Sequence, residues 1–355
     1  MIAICVVAAL YQLVAILACL LRKRVSARAG SHPVSILKPI YRVTDDVLYA
    51  IGTHLDQTYG EEYELLLGVR EANAVSIQDP RVRVIVCQTV SPNRKVGTLI
   101  DLAKQARHPV LIINDADIAV PRDYLRDVTS QLQSGIGLVT CLYKARSKTW
   151  PGRFEALGVA TDFAPSALVA PFVGVSEFGL GSTLAFRRAD LDRIGGFESL
   201  ANYLADDYQL GCKLHALGRR NVIAHSVVTT TLNPRTWSEA WRHQVRWSRT
   251  VRLSRKAGYI GLPVTFATLW AIVAAMAGHP VAGLTLFCIR LAMAITAGYG
   301  VLKSADVLKY VYLVPLRDIY TVAVWAAALF GNTVEWGDES LTLDQAGRIV
   351  DIRHI

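Results

Sequence analysis

Charge is scarce in this chain, and the usual cysteine signals are missing. Only 19% of its 355 residues are charged. Cys5, Cys19, Cys87, Cys141, Cys212 and Cys288 are scattered with no CxxC pair, which excludes a zinc module and reads as reduced residues in a core or facing lipid. No internal repeat or low-complexity linker divides the sequence. Gly179-Leu-Gly181 lacks the third glycine of a dinucleotide fingerprint and precedes a strand-like run instead of a helix. What is present is apolar. The hydrophobic fraction is 52% and the mean hydropathy +0.31, so part of the chain belongs in lipid. Its length suits one large globular domain with membrane segments, since single cores stop growing at about 250–300 residues.

The net charge of +9 would suit nucleic acid, an anionic membrane or a phosphorylated substrate. Position separates these. Arg22, Lys23, Arg24 and Arg28 follow an uncharged run from Ile2 to Leu21, and a second basic group, Arg242 through Lys256, precedes another apolar region. Basic residues flanking spans face the cytosol and argue against a nucleic-acid partner. Residues 2–21 are long enough to cross a bilayer and carry their basic residues after the run, as a retained anchor with its N-terminus outside does. Beyond Lys256, Ile260–Gly278 and Val281–Leu302 read as spans, the second containing Arg290. The run from Val307 to Phe330 is broken by Lys309, Pro315, Arg317 and Asp318 and reads as a re-entrant or interfacial helix.

Between Pro33 and Thr231, short β-rich runs alternate with amphipathic stretches, the pattern of a mostly parallel sheet covered by helices. Expected strands are 34–37, 64–69, 82–86, 110–113, 137–142, 183–186 and 222–224. Expected helices are 46–55, 96–106, 124–133, 191–194 and 208–217.

Three features carry chemistry. The apolar run 110–113 ends in Asn114-Asp-Ala-Asp117, two carboxylates spaced i, i+2 at a strand end, where open α/β sheets bind ligands. Such a pair suffices for Mg²⁺ when a diphosphate supplies the other oxygens, although a solvated turn gives the same pattern. Asp206-Asp207 precede an amphipathic run, either capping a helix or supplying a general base. Trp241-Arg-His-Gln-Val-Arg-Trp247, with Arg249 and Arg252, suits either pyrophosphate or an interfacial helix. His215 reads as a helix-surface residue and His225 as a core or loop histidine.

In order, Ser35-Ile-Leu-Lys-Pro39, Asn93-Arg-Lys95, Asp115-Ala-Asp117, Gly181-Ser-Thr183, Ala205-Asp-Asp207 and His243-Gln-Val-Arg-Trp247 resemble the ceramide glucosyltransferase family. Among its bacterial relatives the chain is most similar to the hopanoid-biosynthesis-associated glycosyltransferases. Gly137-Leu-Val-Thr-Cys-Leu-Tyr143, Arg193-Ile-Gly-Gly-Phe197 and the late Val334-Glu-Trp-Gly337 add to the likeness. The resemblance implies an α/β GT-A domain with one N-terminal and two to three C-terminal membrane helices, a UDP-sugar donor, a divalent metal (Mg²⁺ or Mn²⁺) and inversion at the anomeric carbon. It implies that Lys38 and Pro39 lie beside uridine, Lys95 near the nucleotide, Asp115 at the ribose and Asp117 at the metal. Asp207 would be the base, Arg246 and Trp247 would brace the diphosphate, and the backbone at Gly181 would approach the sugar. Two positions depart from the family pattern: His243 replaces the Gln or Arg that opens the motif, and Glu71 stands where the first aspartate is usual.

The expected organisation is an anchor at 1–21, a cytosolic catalytic domain at 22–258, a membrane region at 259–331 and a tail at 332–355. The expected activity is transfer of glucose or N-acetylglucosamine to the hydroxyl of a lipid, a hopanoid polyol or ceramide-like acceptor, at the bacterial inner membrane. A processive polysaccharide synthase would call for more spans. A lipid-binding scaffold or transporter would place its polar residues inside the membrane helices.

Overall fold

The computed structural model describes residues 2–22, 32–71, 74–233 and 236–355. Lys23, Arg24 and Arg28 of the first basic group lie outside the described residues. The helices are α1 (Ile2–Leu20), α2 (Asp45–Leu55), α3 (Arg94–Gln105), α4 (Tyr124–Ser130), α5 (Trp150–Gly158), α6 (Ala164–Val169), α7 (Arg188–Arg193), α8 (Asp206–Ala216), α9 (Trp237–Ser254), α10 (Lys256–Gly261), α11 (Ala267–Met276), α12 (Pro280–Ile295), α13 (Ala305–Tyr310) and α14 (Val314–Ala328). The strands are β1 (Val34–Pro39), β2 (Tyr63–Val69), β3 (Val82–Val86), β4 (Val110–Ile113), β5 (Ile136–Arg146), β6 (Leu184–Arg187), β7 (Arg220–Thr231), β8 (Thr333–Trp336), β9 (Glu339–Leu343) and β10 (Ile349–His354).

β1 to β7 form one sheet in the order β3-β2-β1-β4-β6-β5-β7. Every pairing is parallel except those of β6, which runs antiparallel to β4 and β5. β1, β2 and β4 are apolar and buried along most of their lengths, as strands covered on both faces must be. Because β2 and β4 flank β1, the order reverses between β1 and β4, which opens a crevice at their carboxyl ends. β8 to β10 form a separate antiparallel sheet. It docks beside that crevice through Arg94, which reaches Asp338 at 2.8 Å and Glu339 at 2.7 Å, and through the Ile349 N–H, which donates to the Asn202 carbonyl at 2.7 Å.

Four helical stretches are long and apolar enough to cross a membrane: Ile2–Leu20, Trp150–Val173, Pro280–Val301 and Ala305–Ala328. A fifth pair, Lys256–Thr265 with Ala267–Met276, is bent by 49°. Helix α1 shows why these stretches associate. Cys5, Ala8, Gln12, Ala15 and Cys19 recur at three and four residues and pack inward, while Val6, Leu10, Leu13, Leu17 and Leu20 stay exposed. Small side chains let backbones approach closely where lipid offers no hydrophobic gradient.

Two features lie beyond the sequence reading. Residues 150–173 form an apolar helical excursion within the α/β block, in which α6 packs against α1. The run near Val307–Phe330 passes through a 3₁₀ turn, Val311–Leu313, and its last two charges lie within α14. Arg317 and Asp318 are buried in α14, and Asp318 holds Arg290 of α12 at 2.6 Å, while Asp162 holds the same guanidinium at 2.6 Å. Asp162 lies in a π-helical turn, Val159–Phe163, whose Thr161 carbonyl also accepts from Arg290. These charges staple three apolar helices together. Replacing Arg290 by Met strands two carboxylates and should destabilise the fold by about 3–5 kcal/mol. The check is a lower thermal midpoint in detergent, with part of the loss regained when Asp318→Asn is added.

Candidate active site

The crevice at the ends of β1 and β4 gathers acidic and basic groups from distant parts of the chain. Lys38, near the end of β1, is buried, and its ammonium donates to the carbonyls of Asp115 at 2.9 Å and Ile118 at 3.2 Å. Burial depresses this amine to about 7 against the opposing charges of Asp117 and Asp115, so both carboxylates lie within electrostatic reach of it. Asn114 fixes the adjoining loop. Its amide donates to the Ser182 carbonyl at 2.7 Å and accepts from or faces His54, which burial and the Lys38 cation keep neutral.

Lys95, in the first turn of α3, bridges Asp115 at 2.8 Å and Asp206 at 3.3 Å. Burial opposes its charge, but Asp115, Asp206 and Asp207 outweigh that effect and hold it above the ordinary lysine value. The Asp115 side chain is 45% exposed where Lys95 is 16% and Asp206 9%, so this carboxylate faces the opening. Asp207, in the first turn of α8, accepts from the Gly181 N–H at 2.9 Å and the Tyr208 N–H at 2.7 Å. Burial, and then the neighbouring Asp206, raise its carboxyl to about 6, with Lys95 pulling the other way.

Gly181 is where two of the acids meet. A Cβ there would lie 3.1 Å from Oδ2 of Asp207 and 3.4 Å from Oδ2 of Asp115. Gly181→Ala should therefore displace the Asp207 carboxylate by a few tenths of an ångström and cut transfer on the order of tenfold, since small misplacements are costly at a reacting centre. Steady-state rates with an unchanged melting profile are the check.

Asp117 points elsewhere than its partner in the motif. Its Oδ2 accepts from the Thr230 hydroxyl at 2.6 Å and the Thr231 N–H at 2.9 Å at the end of β7. Among the described residues no three His, Cys, Asp or Glu side chains form a protein-only metal cage. A hard cation completed by diphosphate oxygens needs only one or two carboxylates; Asp115 faces the opening, and Oδ1 of Asp117 lies outside its two bonds to β7.

The aromatic–arginine motif lies on α9, which begins with a capping box at Thr236 and Glu239. His243 Nδ1 lies 2.5 Å from Oε1 of Glu155, the same oxygen that accepts from Gln244 at 2.9 Å. The His243 ring contacts Trp247 at 4.6 Å between centroids, and Trp247 packs on the core beneath the sheet. Arg246 is held below its ordinary value by burial, with Glu155 supporting its charge. Tyr143 on β5 is buried, which pushes its phenol up, and the charges of Asp207, Asp115 and Glu155 push it in the same direction.

The structure thus brings Lys38, Lys95, Asp115, Asp207 and Gly181 together, while His243, bonded to Glu155, and Trp247 form a second group on α9, the helix that also carries Arg246. Pro39 ends β1 beside Gly68 of β2. Glu71 stays exposed in the bend after β2, outside the bonded cluster. Asp206, Tyr143 and Glu155 escaped assignment. The one signal for Glu155 was a lone acid in an apolar stretch. His215 is half-buried on α8.

A family model described as glycosyl transferase family 21 matches residues 1–349. The chain belongs to this family. Ceramide glucosyltransferase 1 of Caenorhabditis elegans is 27% identical over 225 residues, 56% of this chain and 47% of that protein. Ceramide glucosyltransferase 3 of the same organism is 21% identical over 93% of this chain and 77% of its own length. The match to the first relative thus spans about half of that protein. The mannosyltransferase PcManGT from Pyrobaculum calidifontis, solved in complex with GDP-Man and Mn²⁺, superposes with a TM-score of 0.54 at 19% identity, covering 92% of this chain and 97% of that one. The family 21 chain therefore has the GT-A-like fold that its sequence pattern suggests.

Proposed function

We propose that this family 21 protein is an inverting, metal-dependent glycosyltransferase that moves glucose or N-acetylglucosamine from a UDP-sugar to a lipid hydroxyl, on a hopanoid polyol or a ceramide-like acceptor. The observation that carries this reading is the convergence at the ends of β1 and β4 of Lys95, bridged to Asp115 and Asp206, and of Asp207, bonded to the Gly181 N–H. In the reaction, Asp207 takes the proton of the acceptor hydroxyl as its oxygen attacks the anomeric carbon. The bond to the diphosphate breaks, its electron pair leaves with UDP, and the configuration inverts. Lys95, tied to Asp115 and Asp206, offers its charge near the nucleotide. A divalent cation held by Asp117 and Asp115 with diphosphate oxygens would supply Lewis-acid help to the leaving group. Arg246 offers a fork suited to the same charge. Four helices long and apolar enough to cross a membrane support a crevice beside the bilayer, and the basic flanks favour the cytosolic face of a bacterial inner membrane.

A carboxylate raised to about 6 works as a base only when deprotonated, so kcat/KM should rise with pH through about 6 and level off above it. Lys95 lowers this value, so Lys95→Met should move the limb to higher pH; a flat profile from pH 5 to 7.5 in the parent would contradict the base assignment. The activity itself is tested by release of UDP from UDP-glucose or UDP-N-acetylglucosamine with Mg²⁺ and membrane lipids. Release is expected from one of the two donors. None with either, from folded protein, would favour a non-catalytic lipid-binding scaffold.

A further inference from the structure

The sheet of β8 to β10 lies apart from the α/β sheet, yet it is bonded to three segments that carry site residues. The first is the start of α3. Arg94, the residue before Lys95, reaches Asp338 at 2.8 Å and Glu339 at 2.7 Å. Asp338 is exposed, and an ion pair in solvent is worth little. Glu339 is different, because its carboxylate is buried on β9 and only 6% exposed. The second segment is the loop that leads into Asp206 and Asp207. There the Ile349 N–H donates to the Asn202 carbonyl at 2.7 Å, and the Leu204 N–H to the Gly347 carbonyl at 3.4 Å. The third is α9, where Arg249 donates to the carbonyls of Phe330 at 3.2 Å and Thr333 at 2.7 Å, and Arg252 to that of Gly331.

Apolar packing follows the same path. Val334, Leu341, Leu343 and Ile349 form one cluster with Leu204, two residues before Asp206, and with Leu253 of α9. The first two segments are also bonded to each other. Asn93 caps α3 and donates its amide to the Tyr203 carbonyl at 2.8 Å, while Lys95 holds Asp206 at 3.3 Å. The start of α3 and the 201–206 loop are thus fixed to one another and to the sheet, and the sheet is fixed to α9.

The buried acid shows what this arrangement is for. An apolar residue at position 339 would hold the sheet in place at least as well, whereas a buried charge met by one distant arginine selects a single placement. We propose that the C-terminal sheet is a bracket that presets the placement of the crevice group against α9, with Glu339 a positioning residue that acts through Arg94 on Lys95. Charges fixed in advance need no reordering when an anion arrives. The inference rests on the reading of Lys95 and Arg246 as groups that meet one nucleotide diphosphate.

The test uses the full chain in nanodiscs. Glu339→Gln keeps the shape of the side chain and removes its charge, and Arg94→Met breaks the pair from the other side. In the ligand-free protein, amide hydrogen exchange at 94–99 and 202–209 should be about fivefold faster in either variant, the scale of one partly exposed ion pair, with exchange in α12 unchanged. Affinity for UDP with Mn²⁺ should fall about fivefold in Glu339→Gln, and far less when the same change is made in Lys95→Met. A residue that acts through Lys95 has nothing to act on once that lysine is gone, whereas a merely weakened fold loses the same factor in both backgrounds. His354→Ala removes the other side chain that approaches Glu339, at 4.0 Å, and should change neither measurement. Unchanged exchange in both variants, or equal loss of affinity in both backgrounds, would overturn the proposal. UDP binding in the parent with no loss in Glu339→Gln sinks the bracket alone; a parent chain that binds no UDP sinks the nucleotide reading, and the bracket with it.

Discussion

Asp207→Asn lowers sugar transfer by roughly 10²-fold or more while nucleotide-sugar binding stays within about twofold of the parent. The reasoning starts from position. Asp207 accepts the Gly181 N–H on Oδ2 and the Tyr208 N–H on Oδ1, and asparagine keeps the shape and one of these two acceptors. What asparagine loses besides is the capacity to take a proton. The charge deleted is one that burial and Asp206 already disfavour, which offsets the loss of one hydrogen bond. Single-turnover transfer beside equilibrium donor binding separates the two effects. Near-normal turnover in the variant would remove Asp207 from the role of base and leave it as a charge at the start of α8.

Arg246→Ala should cost about 10²–10³ in kcat/KM, the usual effect of removing one donor aimed at developing charge. This guanidinium is unusually consequential because burial makes its charge expensive, and Glu155 stands by to support it. A cation kept at that cost needs an anion to meet, and a departing diphosphate is one. Arg246→Lys keeps the charge without the fork and should recover only part of the loss. The measurement is the steady-state profile for the nucleotide sugar. Equal activity in Arg246→Ala would reduce α9 to a juxtamembrane helix whose basic residues meet lipid headgroups.

The parts of this molecule that could be read in advance are those that depend on neighbours in sequence. An apolar run ending in acids at Asp115 and Asp117 marks the end of β4, because a parallel strand is buried until it reaches the crevice. The Asp206-Asp207 pair falls in the first turn of a helix for an equally local reason. What stayed hidden is non-local. That Lys95 sits on Asp115 and Asp206, and that Asp117 turns away to Thr230 and Thr231, depends on strand order and not on spacing. The excursion at 150–173 was masked by Pro151, Pro165 and Pro171 and by its two acids, Glu155 and Asp162. Hydropathy counts Arg317 and Asp318 as costs, whereas the fold pairs Asp318 with an arginine 28 positions earlier and lets Arg317 donate to Gln244 at 2.9 Å. Glu155 is the clearest case: it reads as a solitary acid, and it is buried against His243 and Gln244.

One structure determination bears most directly on whether these residues share a single pocket. A map of the full chain in nanodiscs with UDP and Mn²⁺ should show the diphosphate seated at the ends of β1 and β4, in reach of both Asp115 and Arg246, with Asp207 facing the vacant sugar position. UDP found outside that crevice, or bound there with Arg246 and Asp207 turned from it, would contradict the account.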